Sequence, residues 1–255
     1  MLLLYWNVAK LAARRAALSW PVALSLVVYS VVLTVAVIVS APLGILAGLV
    51  VYLVAAGCWS SYLELISQAV AGARFRLSWE EFKRSFLTRF GDVISVMFAL
   101  WLISLLTLPL MHGSHALQVS AILGFAIAFF FNAVPELLYQ GRSRSFALLL
   151  DSANFVMEHP VAWFLPNVLF AALGLWASGG PSLRHPVEFL IAFGNLFSSP
   201  QGVATLFMRL PIWGWPLALM VLHFVMLFRG VLFAELQSGG GNARRRAFRA
   251  SMGRR

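Results

Sequence analysis

The sequence predicts an all-α, polytopic membrane protein with six transmembrane helices, and three observations support this prediction. Of its 255 residues, 61% are hydrophobic and only 11% are charged, and the mean hydropathy is +0.86. Soluble domains carry roughly a quarter charged residues, so this chain has too few charges to cover a water-facing surface. The second observation is a set of long apolar stretches, and the third is the uneven distribution of basic residues between the segments that join them.

Six stretches are long and apolar enough to cross a bilayer core of about 30 Å, which takes roughly 20 helical residues. The fifth is short and is interrupted by Pro166. Before the sixth, residues 186–209 contain two further apolar runs, each starting at a proline and each too short to span. We expect these runs to form two short outer helices, either interfacial or re-entrant. The six predicted spans are residues 21–40, 44–66, 93–111, 117–138, 161–178 and 211–236.

The basic residues indicate how the chain crosses the membrane. Segments that face the cytoplasm carry an excess of Lys and Arg. If the N-terminus is cytoplasmic, all but Arg184 and Arg209 of the 19 basic residues fall on the cytoplasmic side. We therefore expect both termini to be cytoplasmic, in the cytoplasmic (inner) membrane of a bacterium. The same distribution explains most of the net charge of +10, which in a soluble protein would be typical of nucleic-acid binding.

The membrane domain, residues 21–237, lies between two segments of different character. Residues 1–20 are predicted to form an amphipathic helix in the inner interface, with Trp6 and Trp20 at headgroup level. Residues 238–255 begin with SGGGN and are predicted to be a flexible basic tail. We expect this tail to bind the headgroups of anionic membrane lipids, with contact to nucleic acid as the less favoured alternative. Its basic residues include Arg244, Arg245, Arg246 and Arg249.

Two cytoplasmic segments are predicted to be amphipathic helices. In residues 78–90, SWEEFKRSFLTRF, the aromatic residues recur every three or four positions, so they share one face. We expect that face to rest on the membrane or on a partner protein. Residues 145–160 follow a similar pattern, with Asp151, Asn154 and Glu158 on the polar side.

The second, fourth and sixth predicted spans have similar cytoplasmic ends, which read LELISQ, PELLYQ and AELQ. Each contains a glutamate near the C-terminal, partly negative end of its helix, where the helix dipole disfavours an anion. These residues are Glu64, Glu136 and Glu235. Two interpretations are open at this point. The carboxylates are hydrated at headgroup level, or they form a polar cluster inside the helix bundle.

Arg229 favours the polar cluster. It precedes Glu235 by almost two turns, so it lies about 9 Å deeper in the membrane at 1.5 Å per residue. Its side chain leans toward the helix N-terminus and therefore toward the bilayer centre. A buried pair with Glu64 or Glu136 would compensate its charge, whereas the alternatives are snorkelling to the inner surface and a ligand-binding role.

His223 and Asn132 complete the predicted cluster. His223 lies deeper than Arg229, and we expect a hydrogen bond to a neighbouring helix rather than a proton-carrying role, with Asn132 as a candidate partner. The chain has no motif typical of catalysis or of metal binding. Its single cysteine, Cys58, excludes an intrachain disulfide and a cysteine metal cluster. We expect no cofactor, no bound metal and no enzymatic activity.

One resemblance concerns the sequence between the second and fifth spans. The segment VPELLYQGRSRSFALLLDSANFVMEHPVAWF, at 134–164, follows LSWEEFKRSFLTRF, at 77–90. Together they resemble a bacterial six-helix membrane family, the YciC-like proteins, and the membrane domain fused to some glycerophosphodiester phosphodiesterases. The resemblance covers about residues 60–175 and implies no catalytic residues.

The predicted architecture is also similar to that of ABC-2-type exporter permeases. Those proteins combine an N-terminal interfacial helix with six spans, a cytoplasmic helix after the second span and two short outer helices before the sixth. The similarity implies that residues 78–90 form a helix that couples to a separate ATPase. The residues expected to make this contact are Trp79, Glu80, Glu81, Lys83 and Arg84.

Three functions are compatible with these patterns. The first is a non-catalytic membrane subunit that anchors or assembles a larger envelope complex with other protein subunits. The second is a permease subunit driven by a partner ATPase, which predicts that the polar cluster faces a cavity. The third and least favoured is an intramembrane lipid-modifying enzyme, because candidate acids are present without a nucleophile or a metal set. The enzyme predicts that Glu64, Glu136 and Asn132 line a water-reachable pocket.

Overall fold

The computed structural model describes residues 1–72, 79–107, 116–140, 146–177 and 214–252. Every regular element within these ranges is a helix, in agreement with the predicted all-α class. In chain order the helices are α1 Leu2–Leu18, α2 Trp20–Ser40, α3 Ile45–Ala71, α4 Trp79–Thr88, α5 Phe90–Thr107, α6 Ala116–Phe130, α7 Val134–Gln140, α8 Ala147–Glu158, α9 Pro160–Ala177 and α10 Trp215–Met252.

Four helices in the described ranges are long and apolar enough to cross a membrane. They are Trp20–Leu43, Leu46–Ala71, Phe90–Thr107 and Trp215–Ser238, and they correspond to the first, second, third and sixth predicted spans. The predicted fourth span is divided between α6 and the short α7, and the fifth corresponds to α9, which contains Pro166. The described part of the chain is therefore all-helical with several membrane-spanning candidates, and the count of six stays a prediction.

The first two long helices form a hairpin. Pro21 occupies the first turn of α2, where its missing N–H group leaves no helical bond unmade. A single 3-10 turn at Ala41–Leu43 ends the helix, and Gly44, with φ of +58°, reverses the chain into α3. α3 ends at Gly72, whose φ of +76° is the left-handed conformation typical of helix C-termini. The Arg15 guanidinium donates to the carbonyl of Val70 in the last turn of α3.

The buried core is concentrated where the C-terminal half of α3 meets α7 and the middle of α10. The large apolar side chains of α2 are mostly exposed along the length of that helix, as expected for contact with lipid. Trp163 of α9 is completely buried in this core, and its ring meets those of Phe155 and Phe233. Fully buried apolar residues of this core include Leu63, Ile66, Leu148, Trp163, Leu227, Leu232 and Phe233.

The N-terminal helix α1 packs against α10 as well as joining α2. Val8, Ala12 and Ala16 recur every four residues and form its buried face. At its beginning the Tyr5 hydroxyl donates to the carbonyl of Ala162, at 3.2 Å, and directly after its end Ser19 contacts His223 of α10. The predicted helix at 1–20 is present, but one face of it is covered by the protein's own last helix.

The aromatic face of α4 is also covered by the chain itself, which corrects the expectation that it rests on the membrane or on a partner. The Phe82 ring stacks on that of Tyr29 from α2, with centroids 6.1 Å apart, and the Phe86 ring meets Tyr29 edge-on at 5.9 Å. Trp79 of the predicted face stacks on the Phe82 ring, with centroids 5.8 Å apart, and leaves 67% of its surface exposed. The physical reason is that α4 follows α3 closely enough to fold back onto the α2–α3 hairpin.

The second amphipathic helix is present as α8. Its buried side includes Leu148, Ser152 and Phe155, while Asn154 and Glu158 are exposed as predicted. The last helix differs more from expectation, because α10 continues through the SGGGN segment at 238–242 to Met252, where the sequence predicted a flexible tail. The alanine and arginine residues that follow the glycines are strong helix formers and continue the helix. The predicted outer helices at 186–209 lie outside the described residues.

Candidate functional site

The candidate site is built around a break between α6 and α7. Pro135 has no N–H group to bond to the carbonyl of Phe131, so the helix cannot continue regularly through this point. The amide of Val134 bonds instead to the Phe131 carbonyl, at 3.1 Å. Two neighbouring carbonyls receive side-chain donors from other helices. The Ser152 hydroxyl donates to the carbonyl of Phe130 at 2.8 Å, and Arg229 donates to that of Asn132 at 2.5 Å.

Arg229 and Glu136 form the predicted buried pair, and the partner is Glu136 rather than Glu64. Nε of Arg229 donates to Oε1 of Glu136 at 2.7 Å, and an Nη atom donates to Oε2 at 3.0 Å. This two-pronged geometry is the strong form of an arginine–carboxylate pair. Only 6% of the Arg229 side chain and none of the Glu136 side chain is exposed. Snorkelling to the surface is therefore not what this arginine does.

Trp163 completes the surroundings of the buried pair. The Arg229 guanidinium lies over its ring, 5.2 Å from the centroid, in a cation–π contact. The indole Nε1–H donates to the Asn132 side-chain oxygen at 3.0 Å. Asn132 is therefore bonded to Trp163 and, through its carbonyl, to Arg229, and not to His223 as the sequence suggested. The buried pair thus lies where four parts of the chain meet: the break after α6, and side chains from α7, α9 and α10.

Glu64 belongs to a second pair that the sequence did not predict. Nε of Arg89, the residue between α4 and α5, lies 2.9 Å from Oε2 of Glu64, and the two side chains are 17% and 18% exposed. Arg89 also donates to the carbonyls of Leu138 and Tyr139 in the last turn of α7, the second of them at 2.9 Å. An arginine at a helix C-terminus satisfies carbonyls that lack intrahelical donors and complements the dipole.

The short helix α7 is consequently held by an arginine at each end. Arg229 binds the break before it, and Arg89 binds its last carbonyls. Two further bonds join α7 to its neighbours: the Ser67 hydroxyl of α3 donates to the Tyr139 carbonyl at 3.0 Å, and Gln140 Nε2 donates to the Gly230 carbonyl at 3.5 Å. α7 therefore links α3, the α4–α5 junction and α10.

His223 forms the predicted bond to another helix segment, but its partner is Ser19. The Ser19 hydroxyl lies 3.0 Å from Nε2 of His223 and 2.8 Å from the carbonyl of Arg15. The hydroxyl has one proton, and the carbonyl can only accept it, so Nε2 of His223 must donate to Ser19. Nδ1 is then an acceptor, and it is buried without a hydrogen-bond partner among the described residues. His223 thus ties α10 to the junction of α1 and α2.

The remaining predicted residues lie apart from this cluster. Glu235 is exposed and does not join the buried pair. The predicted coupling residues of α4 are all exposed. One of them, Trp79, lies beside the buried Phe82, and the two rings stack with their centroids 5.8 Å apart. The predicted lipid-binding arginines of the tail lie on the helical backbone of α10, and their side chains are outside the described part of the structure. Those arginines are Arg244, Arg245, Arg246 and Arg249.

A line of buried hydroxyls fixes α4 to the hairpin. Ser85 donates to the Phe82 carbonyl at 2.6 Å, so its oxygen must accept from Ser61, also at 2.6 Å. Ser61 in turn accepts from the Tyr29 hydroxyl at 2.6 Å. Beside this line, Ser60 of α3 donates to the Ser85 carbonyl and accepts from the backbone N–H of Arg89. α4 is therefore bonded to α3 and, through Ser61, connected to Tyr29 of α2.

Three residues of the observed network were missed at the sequence level. Arg89 was used only to orient the chain, although it lies four residues before the third predicted span. Trp163 and Ser19 gave no signal beyond their position next to predicted helix boundaries. The arrangement as a whole can hold charge and helices in place, but it offers no accessible acid at Glu136, because both oxygens accept from Arg229.

Comparison with known proteins gives no match to a family model, to a curated protein or to a solved structure. The similarities to YciC-like proteins and to ABC-2-type permeases therefore stay predictions from the sequence.

Proposed function

We propose that this chain is a non-catalytic subunit of the bacterial cytoplasmic membrane, with six spans and cytoplasmic termini, that anchors or assembles a larger envelope complex. The four long apolar helices support membrane insertion, and the distribution of basic residues supports the orientation. The candidate fourth span, α6 with α7, has a break, and the residues at this break are buried. Burial is what a membrane protein requires there, because non-helical backbone cannot face lipid.

The single observation that carries this proposal is the opposite character of the two faces of α4. One face is bonded to α2 and α3 through Tyr29, Ser61 and Ser85. The other presents Leu87, 75% exposed, among two exposed acidic and two exposed basic side chains. Trp79 lies at the edge between the two faces, because its ring stacks on that of Phe82 while 67% of its surface is exposed. An aromatic and an aliphatic anchor surrounded by charges of both signs is typical of protein-binding surfaces.

The interior of the protein is consistent with a structural role. Glu136 is neutralised by Arg229, Glu64 by Arg89, and His223 is bonded to Ser19. Each of these groups holds two or more helices together. A charge pair with this much hydrogen bonding stabilises one arrangement of helices, and both Glu64 and Glu136 are engaged by an arginine.

One observation favours the alternative, a permease subunit that works with a separate ATPase. A partner that displaces α4 would move Arg89 directly, because Arg89 follows the last residue of α4. Arg89 is bonded to α3 through Glu64 and to α7 through two carbonyls. A displacement at the surface of α4 would thus reach the broken helix, which is the coupling that an exporter needs.

The test is purification of the tagged full-length protein in mild detergent, followed by chemical cross-linking and mass spectrometry. Charge reversal of four residues keeps the net charge of α4: Glu80→Lys, Glu81→Lys, Lys83→Glu and Arg84→Glu. The control is Lys10→Gln with Arg14→Gln, which changes two exposed basic side chains on a different helix, α1. Both variants must melt within a few degrees of the wild-type protein.

A stoichiometric partner that cross-links to α4, that is lost in the four-residue variant and that remains in the control supports the subunit function. If that partner is an ATPase, the result supports the permease function instead of the structural subunit. If the protein purifies without partners, or if the partner cross-links elsewhere and survives the reversal, both functions are contradicted.

A further inference from the structure

The helix α1 has a second, exposed face that is rich in apolar residues and packs against no other part of the described protein. Its buried face lies against α10 and leaves the remainder of its circumference exposed. That exposed side carries large apolar residues in a density that is unusual for contact with water. They are Leu2, Leu3, Trp6, Leu11 and Leu18, and Trp20 follows directly at the start of α2.

The position of α1 places this face beside the bilayer. α1 joins the membrane-spanning candidate α2 through Ser19 alone. The C-terminal end of α1 meets α10 where Ser19 contacts His223. The N-terminal end meets α9, where Tyr5 bonds to Ala162, and the next residue of α9, Trp163, packs on Phe233 of α10. Both helices that flank α1 are therefore span candidates, and α1 contacts the part of α10 that leads to the basic tail.

The charges on the exposed face have one sign. Lys10 and Arg14 are exposed, one turn apart, and residues 1–20 contain no aspartate or glutamate. Nζ of Lys10 lies over the Trp6 ring, 5.1 Å from its centroid. Tryptophan at headgroup level with adjacent basic side chains on an apolar helix face is the composition of helices that lie in an anionic membrane surface.

A comparison with α4 shows how the exposed face of α1 differs from another helix surface of the same molecule. Lys83 lies over the Trp79 ring at 5.0 Å, with the same spacing of four residues as in α1. In α4, however, Glu80 and Glu81 stand beside the tryptophan and the lysine, so the surface has no excess of positive charge. An anionic headgroup would be attracted to α1 and not to α4.

We propose that the exposed face of α1 binds anionic phospholipid, with Trp6 and the leucines in contact with acyl chains and with Lys10 and Arg14 in contact with the headgroup phosphates. This site is separate from the basic tail and does not depend on any protein partner. Its failure would leave the proposed role of α4 untouched.

The test reads the lipid next to α1 directly. Asn7 is exposed beside Trp6 and Lys10, so an Asn7→Cys variant carries a fluorophore there, while the native Cys58 is buried. The labelled full-length protein is reconstituted in phosphatidylcholine vesicles. Quenching by nitroxide-labelled phosphatidylglycerol is compared with quenching by nitroxide-labelled phosphatidylcholine, and the ratio gives the local selectivity for the anionic lipid.

We expect quenching by both lipids and a clear selectivity for phosphatidylglycerol. Two basic residues near an anionic surface together contribute about 30-fold in affinity, so Lys10→Gln with Arg14→Gln should bring the selectivity close to one. The matched control, Lys83→Gln with Arg84→Gln, should leave it unchanged. Absence of quenching by either lipid would place α1 in water or against a protein and overturn the proposal. Equal quenching by the two lipids, or a selectivity that survives loss of Lys10 and Arg14, would overturn it as well.

Discussion

The two arginine–glutamate pairs of this protein use the same side chains in opposite surroundings. Arg229 and Glu136 are almost completely buried and carry a tryptophan ring over the guanidinium. Arg89 and Glu64 are each about one-sixth exposed and lie at the junction of α4 and α5. Both arginines also bind backbone carbonyls of the broken α6–α7 segment. The chemistry is shared, and the difference is access to water.

This difference decides what each pair contributes. A buried pair costs desolvation of two charges, and loss of one member leaves the other uncompensated in a low dielectric. A pair in contact with water loses less when it is broken, because solvent and ions replace the missing partner. The buried pair thus commits the three helices around it to one arrangement, whereas the Arg89–Glu64 pair can open near the surface of α4 at small cost.

The largest effect is expected from removal of the buried carboxylate. Glu136→Ala leaves Arg229 charged and buried, and it should lower the free energy of unfolding by about 3–5 kcal/mol. Reversible unfolding of the purified protein in mixed detergent–SDS micelles measures this change. The double variant Arg229→Met with Glu136→Leu removes both charges and should recover most of the loss. If Glu136→Ala lowered the free energy of unfolding by less than about 1 kcal/mol, the Arg229–Glu136 pair would be hydrated. The two arginine–glutamate pairs would then not differ in access to water.

Gly230, next to Arg229, tests how closely the helices approach at the buried pair. A Cβ at this position would overlap the Tyr139 hydroxyl and lie 2.7 Å from the Val70 side chain. Gly230→Ala should therefore cost about 1–3 kcal/mol, as overpacking does in other cores. Tyr139→Phe removes the nearest atom, which has no hydrogen-bond partner among the described residues, and should restore part of the stability.

Gly48→Ala in α3 is the control for this substitution, because a Cβ there meets no atom within 4 Å. It should be neutral or stabilising by up to about 1 kcal/mol. Equal effects at Gly48 and Gly230 in the same unfolding assay would contradict the close packing of α7 on α10.

The Arg89–Glu64 pair, which is about one-sixth exposed, should show a smaller effect. Glu64→Ala removes one hydrogen-bonded partner of Arg89 but leaves the bonds of Arg89 to Leu138 and Tyr139. We expect a loss of about 1 kcal/mol, measured in the same unfolding assay. A loss as large as that of Glu136→Ala would mean that the Arg89 pair is inaccessible to water, which would remove the distinction between the two sites.

The smallest effect is expected from salt. Raising the ionic strength to about 1 M shortens the screening length to roughly 3 Å and weakens interactions between exposed charges. The difference between Glu64→Ala and the wild-type protein should therefore shrink at high salt, while the difference for Glu136→Ala should stay the same. A matched pair of unfolding series at low and high sodium chloride separates the two outcomes.

Much of this arrangement is readable from the sequence, and the limits have a physical reason. The long apolar helices and the need of Arg229 for a carboxylate follow from hydropathy and from the cost of a buried charge. The choice of Glu136 over Glu64 does not, since both residues end neighbouring spans and only the relative positions of the helices decide between them. Pro135 marks the break in the fourth predicted span, but its consequence, two carbonyls bound by Ser152 and Arg229, depends on distant helices.

The errors at the amphipathic helices have the same origin. Phe82 and Phe86 were recognised as one face, yet periodicity does not say whether lipid, a partner or the chain itself covers a face. Here Tyr29 covers it. Ser19 was likewise overlooked as the partner of His223, because the two residues are 204 positions apart in the chain.

The hydroxyl line from Tyr29 through Ser61 to Ser85 sets the rotational angle of α4 about its own axis. One residue corresponds to about 100° around a helix, so turning α4 by a single position would carry Ser85 away from Ser61. The backbone bonds of Ser60 to this end of α4 would break with it. A molecule that approaches α4 therefore meets Trp79 and its neighbouring charges in one fixed direction. The rotation of α4 about its axis, as well as its position, is set before that molecule makes any contact.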